Sequence, residues 1–290
     1  MKNLIIFMLF FAVTLSVSAQ ELILLGGAGL QKTDSTATSQ YGFAQARLMF
    51  NITPNFRVGP YVGYTQYGAI QTYKSPNPKL LGEEISYGLS VDNFGPLNYS
   101  HSYYFWINTG LKDVKDKFKD GLFSSNTKTR EIFVSGGFFI TDEWKSWFGN
   151  NRLMFEYQKP LSSTMTATWN KQPITNLKPY NKESVRLYLE SGIKRFGEKL
   201  NIEPLLHAGY GHDFGREKSY YELGGGFDVG VFKEWYRDIL KVKVFWREDF
   251  NKTYLDVNSR TPGGSLCGEV VLNVSPIFHL LRSNKVKITE

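Results

Sequence analysis

The sequence predicts an all-β protein, a transmembrane antiparallel up-and-down β-barrel of about twelve strands. Three observations carry that expectation. The 290-residue chain is 16% aromatic and holds 27 Gly, yet its mean hydropathy is only −0.29. A membrane barrel shows lipid at every second residue, so its mean hydropathy stays low, whereas a polytopic helical protein would be strongly apolar. Most of the chain alternates between apolar and polar residues with period 2. The connections between the alternating segments fall into a short set and a longer, polar set. The single Cys excludes a disulfide framework, a CxxC redox site and Cys-rich zinc modules.

The N-terminus comes first in the chain. Lys2 supplies a positive charge, Leu4 to Val13 is apolar, and Val17-Ser18-Ala19 places permitted residues at −3 and −1. Residues 1–19 therefore read as a signal peptide. Its apolar run is short for a helical span of ~20 residues. No Cys follows the expected cleavage site, which argues against a lipoprotein anchor.

Residues 20–274 carry the strands. In Glu222 to Val231, one face is Leu223, Gly225, Phe227, Val229 and Val231, and the other is Glu222, Gly224, Gly226, Asp228 and Gly230. A strand sends alternate side chains to opposite faces, so one side is apolar and the other small or charged. The same split recurs at Val185, Leu187 and Leu189 against Arg186, Tyr188 and Glu190, and at Leu153, Phe155 and Tyr157 against Arg152, Met154 and Glu156. Expected strands are 21–30, 40–50, 56–67, 82–92, 99–112, 129–141, 151–161, 183–194, 201–213, 219–231, 240–250 and 264–274. Each is close to the ~9–11 residues that a tilted strand needs to cross a bilayer.

The short connections are 51–55, 93–98, 141–150, 196–200 and 232–239; the other set is 31–39, 68–81, 114–128, 162–181, 214–218 and 251–263. Placing the mature N-terminus in the periplasm puts every short turn there and every longer loop outside, with 214–218 as the one short outer connection. Trp144, Trp147, Trp235 and Tyr236 fall in the short turns, and Tyr41, Tyr67, Tyr210, Tyr220 and Tyr221 near the outer strand ends, as interfacial belts require. Residues 275–290 are left as a periplasmic tail, where a periplasmic partner would make contact.

The leader, the alternating strands and the loop rhythm resemble the outer-membrane β-barrel proteins of Gram-negative bacteria. That resemblance is architectural and covers about residues 20–274. It implies a location in the cell outer membrane, contact with its lipid and lipopolysaccharide, and insertion by the barrel-assembly machinery. Many such barrels end on an aromatic residue; this chain ends on Glu290, with Phe278 the nearest candidate.

Alternation places Arg47, Arg57, Lys112, Arg152, Arg186, Lys194, Lys241, Lys243 and Arg247 in the lumen. Against them stand Glu84, Asp92, Glu131, Glu156, Glu190, Glu203, Glu222, Asp228, Asp249 and Glu269. Unpaired ions in a confined lumen are costly, so these groups should pair across strands. Counting from the turns gathers Glu156, Arg186 and Glu190 into one cluster, which would either fill the lumen or line a narrow pore.

Catalytic and metal sites find little support. Glu203 and His207 stand about 13 Å apart on a strand, too far to share an ion. His212-Asp213 resembles the acid–His chemistry of outer-membrane proteases, and His101-Ser102 with Asn108 resembles the set of outer-membrane phospholipases. In both, adjacent strand residues point to opposite faces. Cys267 reads as a small inward packing residue. The Gly runs do not precede the Lys-Ser/Thr of a phosphate loop, and read as structural. Lys112, Lys115, Lys117, Lys119, Lys128 and Arg130 form a basic cluster that would face lipopolysaccharide; its Asp residues and its exported position speak against nucleic acid. No catalytic residue, cofactor or metal is assigned. The expected function is a small channel or a surface-exposed scaffold with a charged lumen. The alternatives are a hydrolase acting on lipid or peptide at the outer rim, or a barrel subunit of an envelope secretion or assembly machine.

Overall fold

The computed structural model describes residues 21–32, 37–71, 79–97, 101–142, 150–175, 177, 179, 183–193, 196–197, 200–215, 217–231, 238–250 and 264–274. They form thirteen strands: β1 (Glu21–Lys32), β2 (Ala37–Thr53), β3 (Phe56–Gln71), β4 (Lys79–Pro96), β5 (His101–Asp120), β6 (Phe123–Asp142), β7 (Asn150–Trp169), β8 (Gln172–Ile174), β9 (Ser184–Gly192), β10 (Leu200–Asp213), β11 (Lys218–Val231), β12 (Asp238–Phe250) and β13 (Gly264–Asn273). Strands pair antiparallel in chain order, β7 pairs β9, and β13 returns to β1. Twelve strands thus close into a barrel, and β8 is a three-residue addition to the end of β7. Closure pairs the backbone polar groups and removes the sheet edges, which a wall in contact with lipid requires.

Burial along the strands is inverted relative to a water-soluble protein. The outward residues include Leu153, Leu187, Leu189, Leu206, Phe227, Val244, Trp246, Val270 and Leu272, all exposed, with Leu223 at 66%. The inward residues include Asp92, Glu131, Glu190, Glu203, Glu222, Asp228 and Lys243, none more than 2% exposed. A soluble protein exposes no apolar belt of this extent. The chain is an outer-membrane-type transmembrane barrel, with apolar residues facing lipid and charged residues facing the lumen.

The rim that carries the start of β1 and the end of β13 is called proximal here, and the opposite rim distal. β2 and β3 join at the proximal rim through Pro54-Asn55, a pair of turn formers.

The expected strands all form, but several run further than read. Residues 114–128 were expected as a loop; instead β5 and β6 stay paired up to Asp120 and Phe123 and turn through Gly121-Leu122. Gly121 has a φ of 57°, as the first central residue of a type II′ turn requires. Most of 162–181 is likewise not loop: β7 continues to Trp169 and turns through Asn170-Lys171, both at positive φ. The alternation is lost there because the outward face turns polar while the inward face mixes Val114 and Phe118 with Asp116, so neither side is consistently apolar. A bulge adds a further break. Glu131 pairs Pro160 while Arg130 pairs Ser162, leaving Leu161 as the extra residue and reversing the inward parity of β7. Pro160, which lacks an N–H, sits beside this irregularity, where a strand tolerates it.

The aromatic belt also needs correcting. Tyr210 and Tyr221 are exposed outward, but Tyr41, Tyr67 and Tyr220 turn into the lumen. Tyr41 donates to Glu269 and Tyr67 to Asp116, and Arg247 lies over the Tyr220 ring. Trp144, Trp147, Trp235 and Tyr236, the leader 1–19 and the tail 275–290 lie outside the described residues.

Candidate functional site

The lumen is the candidate site, and the strand register builds it. Two buried clusters line the lumen, one on each wall, and the larger reaches from the proximal half to the distal side. On the β1–β5 wall, Arg57 donates from Nε and Nη2 to the two Asp92 oxygens, both at 2.7 Å, and pairs with Glu21 at the start of β1. Tyr104 donates to Asp92 at 3.0 Å, and the Arg57 guanidinium lies over Phe94. Arg47 covers the Trp106 ring.

The β7–β13 wall carries a larger cluster with two carboxylate centres. Glu190 accepts from Lys241 Nζ at 2.5 Å and Lys243 Nζ at 3.0 Å, with Arg152 at 3.7 Å. Arg152 also pairs with Asp228, two strands beyond β9. Glu222 accepts from Arg186 at 2.8 Å and from Arg247 at 2.5 and 3.0 Å. His207 stands between the centres, with Nε2 3.0 Å from Glu222 and Nδ1 3.7 Å from Glu190. Lys243 extends the network to Glu269 at 3.3 Å.

Small residues make this packing possible. His207, Gly224 and Phe245 are neighbours in register on β10, β11 and β12. With no side chain at Gly224, the flanking rings meet over it at 4.7 Å between centroids. Gly192 gives the Glu203 carboxylate its space, which a Cβ would occupy.

Of the three residues singled out from the sequence, Arg186 and Glu156 are register partners, 3.8 Å apart as an ion pair. Glu190 lies opposite Arg152 instead, four residues along β9 from Arg186. Glu156 and Arg186 thus share one level of the lumen, and Glu190 lies at another. The Glu190 partners Lys241, Lys243 and His207, and the Arg152–Asp228 pair, were not singled out as partners. Periodicity assigns a face, but only the hydrogen-bond register assigns a partner three strands away. Lys194 and the side chain of Asp249 lie outside the described residues.

Toward the distal rim the lumen opens into a polar vestibule of about 380 Å³, lined by Gln45, Glu84, Lys112, Glu156, Gln158 and Arg186 among others. Lys112 donates to Gln158 at 2.9 Å and lies 3.4 Å from Glu84. Glu156 is exposed in this space, with half of its side-chain surface accessible. The donor set suits hydrogen bonding to a small polar solute. Among the described residues no group of three or more His, Cys, Asp or Glu could hold a metal ion.

The other candidates fall as follows. His101 and Ser102 lie at the proximal end of β5, and Asn108 is buried six positions further along the strand. His212 Nδ1 is 2.8 Å from Ser219 Oγ near the distal rim. The adjacent Asp213 carboxylate instead accepts the Gly215 N–H at 3.1 Å, closing the turn. Cys267 is buried in the lumen opposite Phe245.

No protein-family model matches the chain, and no curated protein matches it. Solved structures do. The translocator domain of autotransporter NalP from Neisseria meningitidis is 9% identical, with 90% of this chain and 91% of that chain covered and a TM-score of 0.46. The β domain of the Bordetella autotransporter BrkA is 11% identical, covering 87% and 98%, at 0.49. The Pseudomonas putida toluene transporter TodX is 7% identical, covering 91% and 92%, at 0.36. Likeness at this level lends no argument about role.

Proposed function

We propose that this protein is a sealed-lumen barrel of the outer membrane, a surface-facing scaffold whose vestibule and long hairpins point outside the cell. One observation carries the reading: charged groups from opposite walls of the proximal lumen are packed to 0–2% exposure, as at Asp92, Glu190, Asp228 and Lys243. Ions that water does not reach offer no hydrated path. The channel reading needs such a path, and the vestibule supplies a stretch of one toward the distal rim. The orientation rests on the long distal hairpins, because barrels of this kind keep short turns in the periplasm.

Liposome swelling tests the seal, with the purified barrel and a small neutral sugar as solute. Swelling no faster than in protein-free vesicles is expected, and rapid swelling would restore the channel. A Cys placed at Thr175 should be labelled by an impermeant thiol reagent on whole cells, and one placed at Asn55 should not. The opposite pattern would invert the barrel.

A further inference from the structure

The vestibule stands above the buried clusters, and the cations that line it are already paired. Arg186 donates to Glu222 just beneath at 2.8 Å, and Arg247 donates to the same carboxylate at 2.5 and 3.0 Å. Lys112 donates to Gln158 at 2.9 Å and stands 3.4 Å from Glu84. Glu84, Glu156 and Glu222 balance Lys112, Arg186 and Arg247, so the cup and its floor carry no net charge.

Glu156 is the exception within that set. Its side chain is half accessible, and Arg186 lies 3.8 Å away, too far for a hydrogen bond. Among the described residues Glu156 accepts no hydrogen bond. The neutral groups around it are unpaired as well: the Gln45 amide and the Thr65, Ser135 and Ser184 hydroxyls make no side-chain hydrogen bond among the described residues. Ser135 is a register partner of Glu156, so one of these hydroxyls stands directly beside the carboxylate. Tyr61 accepts from Ser86 at 3.2 Å, and its ring packs against Phe133 with centroids 5.7 Å apart, which gives the cup one apolar edge. The volume of about 380 Å³ falls within the ~300–1,000 Å³ typical of small-molecule sites.

We propose that the vestibule binds a small neutral sugar, a mono- or disaccharide. Each sugar hydroxyl both donates and accepts, which matches a lining of mixed donors and acceptors. The Glu156 carboxylate accepts from neighbouring sugar hydroxyls through charge-assisted hydrogen bonds, and Gln45, Thr65, Ser135 and Ser184 serve the others. Tyr61 and Phe133 meet the C–H edge of the ring. Net charge on the ligand is selected against from both sides: an anion meets Glu84 and Glu156, and a cation meets Lys112, Arg186 and Arg247. The inference deepens the sealed-lumen reading and rests on it, because a closed floor makes the sugar a bound ligand instead of a passing solute.

Saturation-transfer NMR on the full-length barrel tests this, in an amine-oxide detergent whose head group carries no sugar. The probes are glucose, galactose, N-acetylglucosamine and maltose, with glucuronate, glucosamine and glycine as charged comparisons. Saturable transfer to at least one neutral sugar is expected, with binding weaker by about tenfold or more for the charged compounds and for Glu156→Gln. Absence of transfer to every neutral sugar overturns the proposal. Equal binding of glucuronate or glucosamine to the unmodified protein also overturns it, and that comparison does not depend on how the variant folds. Preference for glycine overturns the sugar in favour of a zwitterion. Liposome swelling keeps the two readings apart: sugar binding with rapid swelling overturns the seal and leaves the site, whereas no binding with no swelling overturns the site alone.

Discussion

Arg152 shows what a single side chain does in this lumen. It reaches across β9 and β10 to Asp228 while lying 3.7 Å from Glu190, and all three groups are buried. Removing one member of a buried pair leaves an uncompensated charge, whereas replacing both removes the cost along with the gain. Arg152→Met should therefore destabilise the barrel by about 3–5 kcal/mol in a denaturant titration in detergent or lipid. The double variant Arg152→Met/Asp228→Leu should recover a large part of that loss. Recovery is expected to be incomplete because Glu190 also loses a neighbour, though Lys241 and Lys243 still hold it. A double variant no more stable than the single would show that Asp228 is not the partner. At this scale the sequence was half legible. Alternation turned Arg152, Asp228 and Glu190 inward, because each sits at an odd step from the apolar outward residues of its strand, Leu153, Phe227 and Leu189. It could not pair them, since counting residues from turns carries errors larger than the two-residue spacing between successive lumen positions.

At the scale of the element, the strand faces were the most legible feature. β11 reads the same in sequence and structure: Phe227 is 40% exposed toward lipid and Asp228 is 1% exposed in the lumen. Phe227→Arg near the midplane should cost about 2–4 kcal/mol of unfolding free energy, more than Asp228→Asn, which keeps its shape and part of its hydrogen bonding. The reverse ranking would mean that the strand is shifted by one residue. The ends of β5, β6 and β7 were not legible for a physical reason. Beyond the lipid boundary both faces of these strands meet water, so Lys115, Lys117 and Lys119 alternate with Val114, Asp116 and Phe118 without a consistent apolar side. Backbone pairing continues where the hydrophobic pattern has stopped. The Leu161 bulge compounds the difficulty by moving Ser163 and Ala167 to the side that Ser162 would otherwise occupy.

Across the whole molecule, one wall chemistry serves two solvents. The exterior meets lipid with Leu, Val, Phe and Trp, and the interior is lined with charged groups that pair across the strands. The proximal half holds the buried clusters of Arg57–Asp92 and Arg152–Asp228–Glu190, and the distal half holds the vestibule around Glu156. Such an arrangement leaves a polar cup at the distal rim. The central claim is that the clusters seal the lumen, and ionic current reads this most directly. In planar bilayers the purified protein should show no steady single-channel conductance, while Arg152→Ala/Lys243→Ala, which clears two of the bridging side chains, should conduct. Stable ohmic steps from the unmodified protein, unchanged in the double variant, would contradict the account.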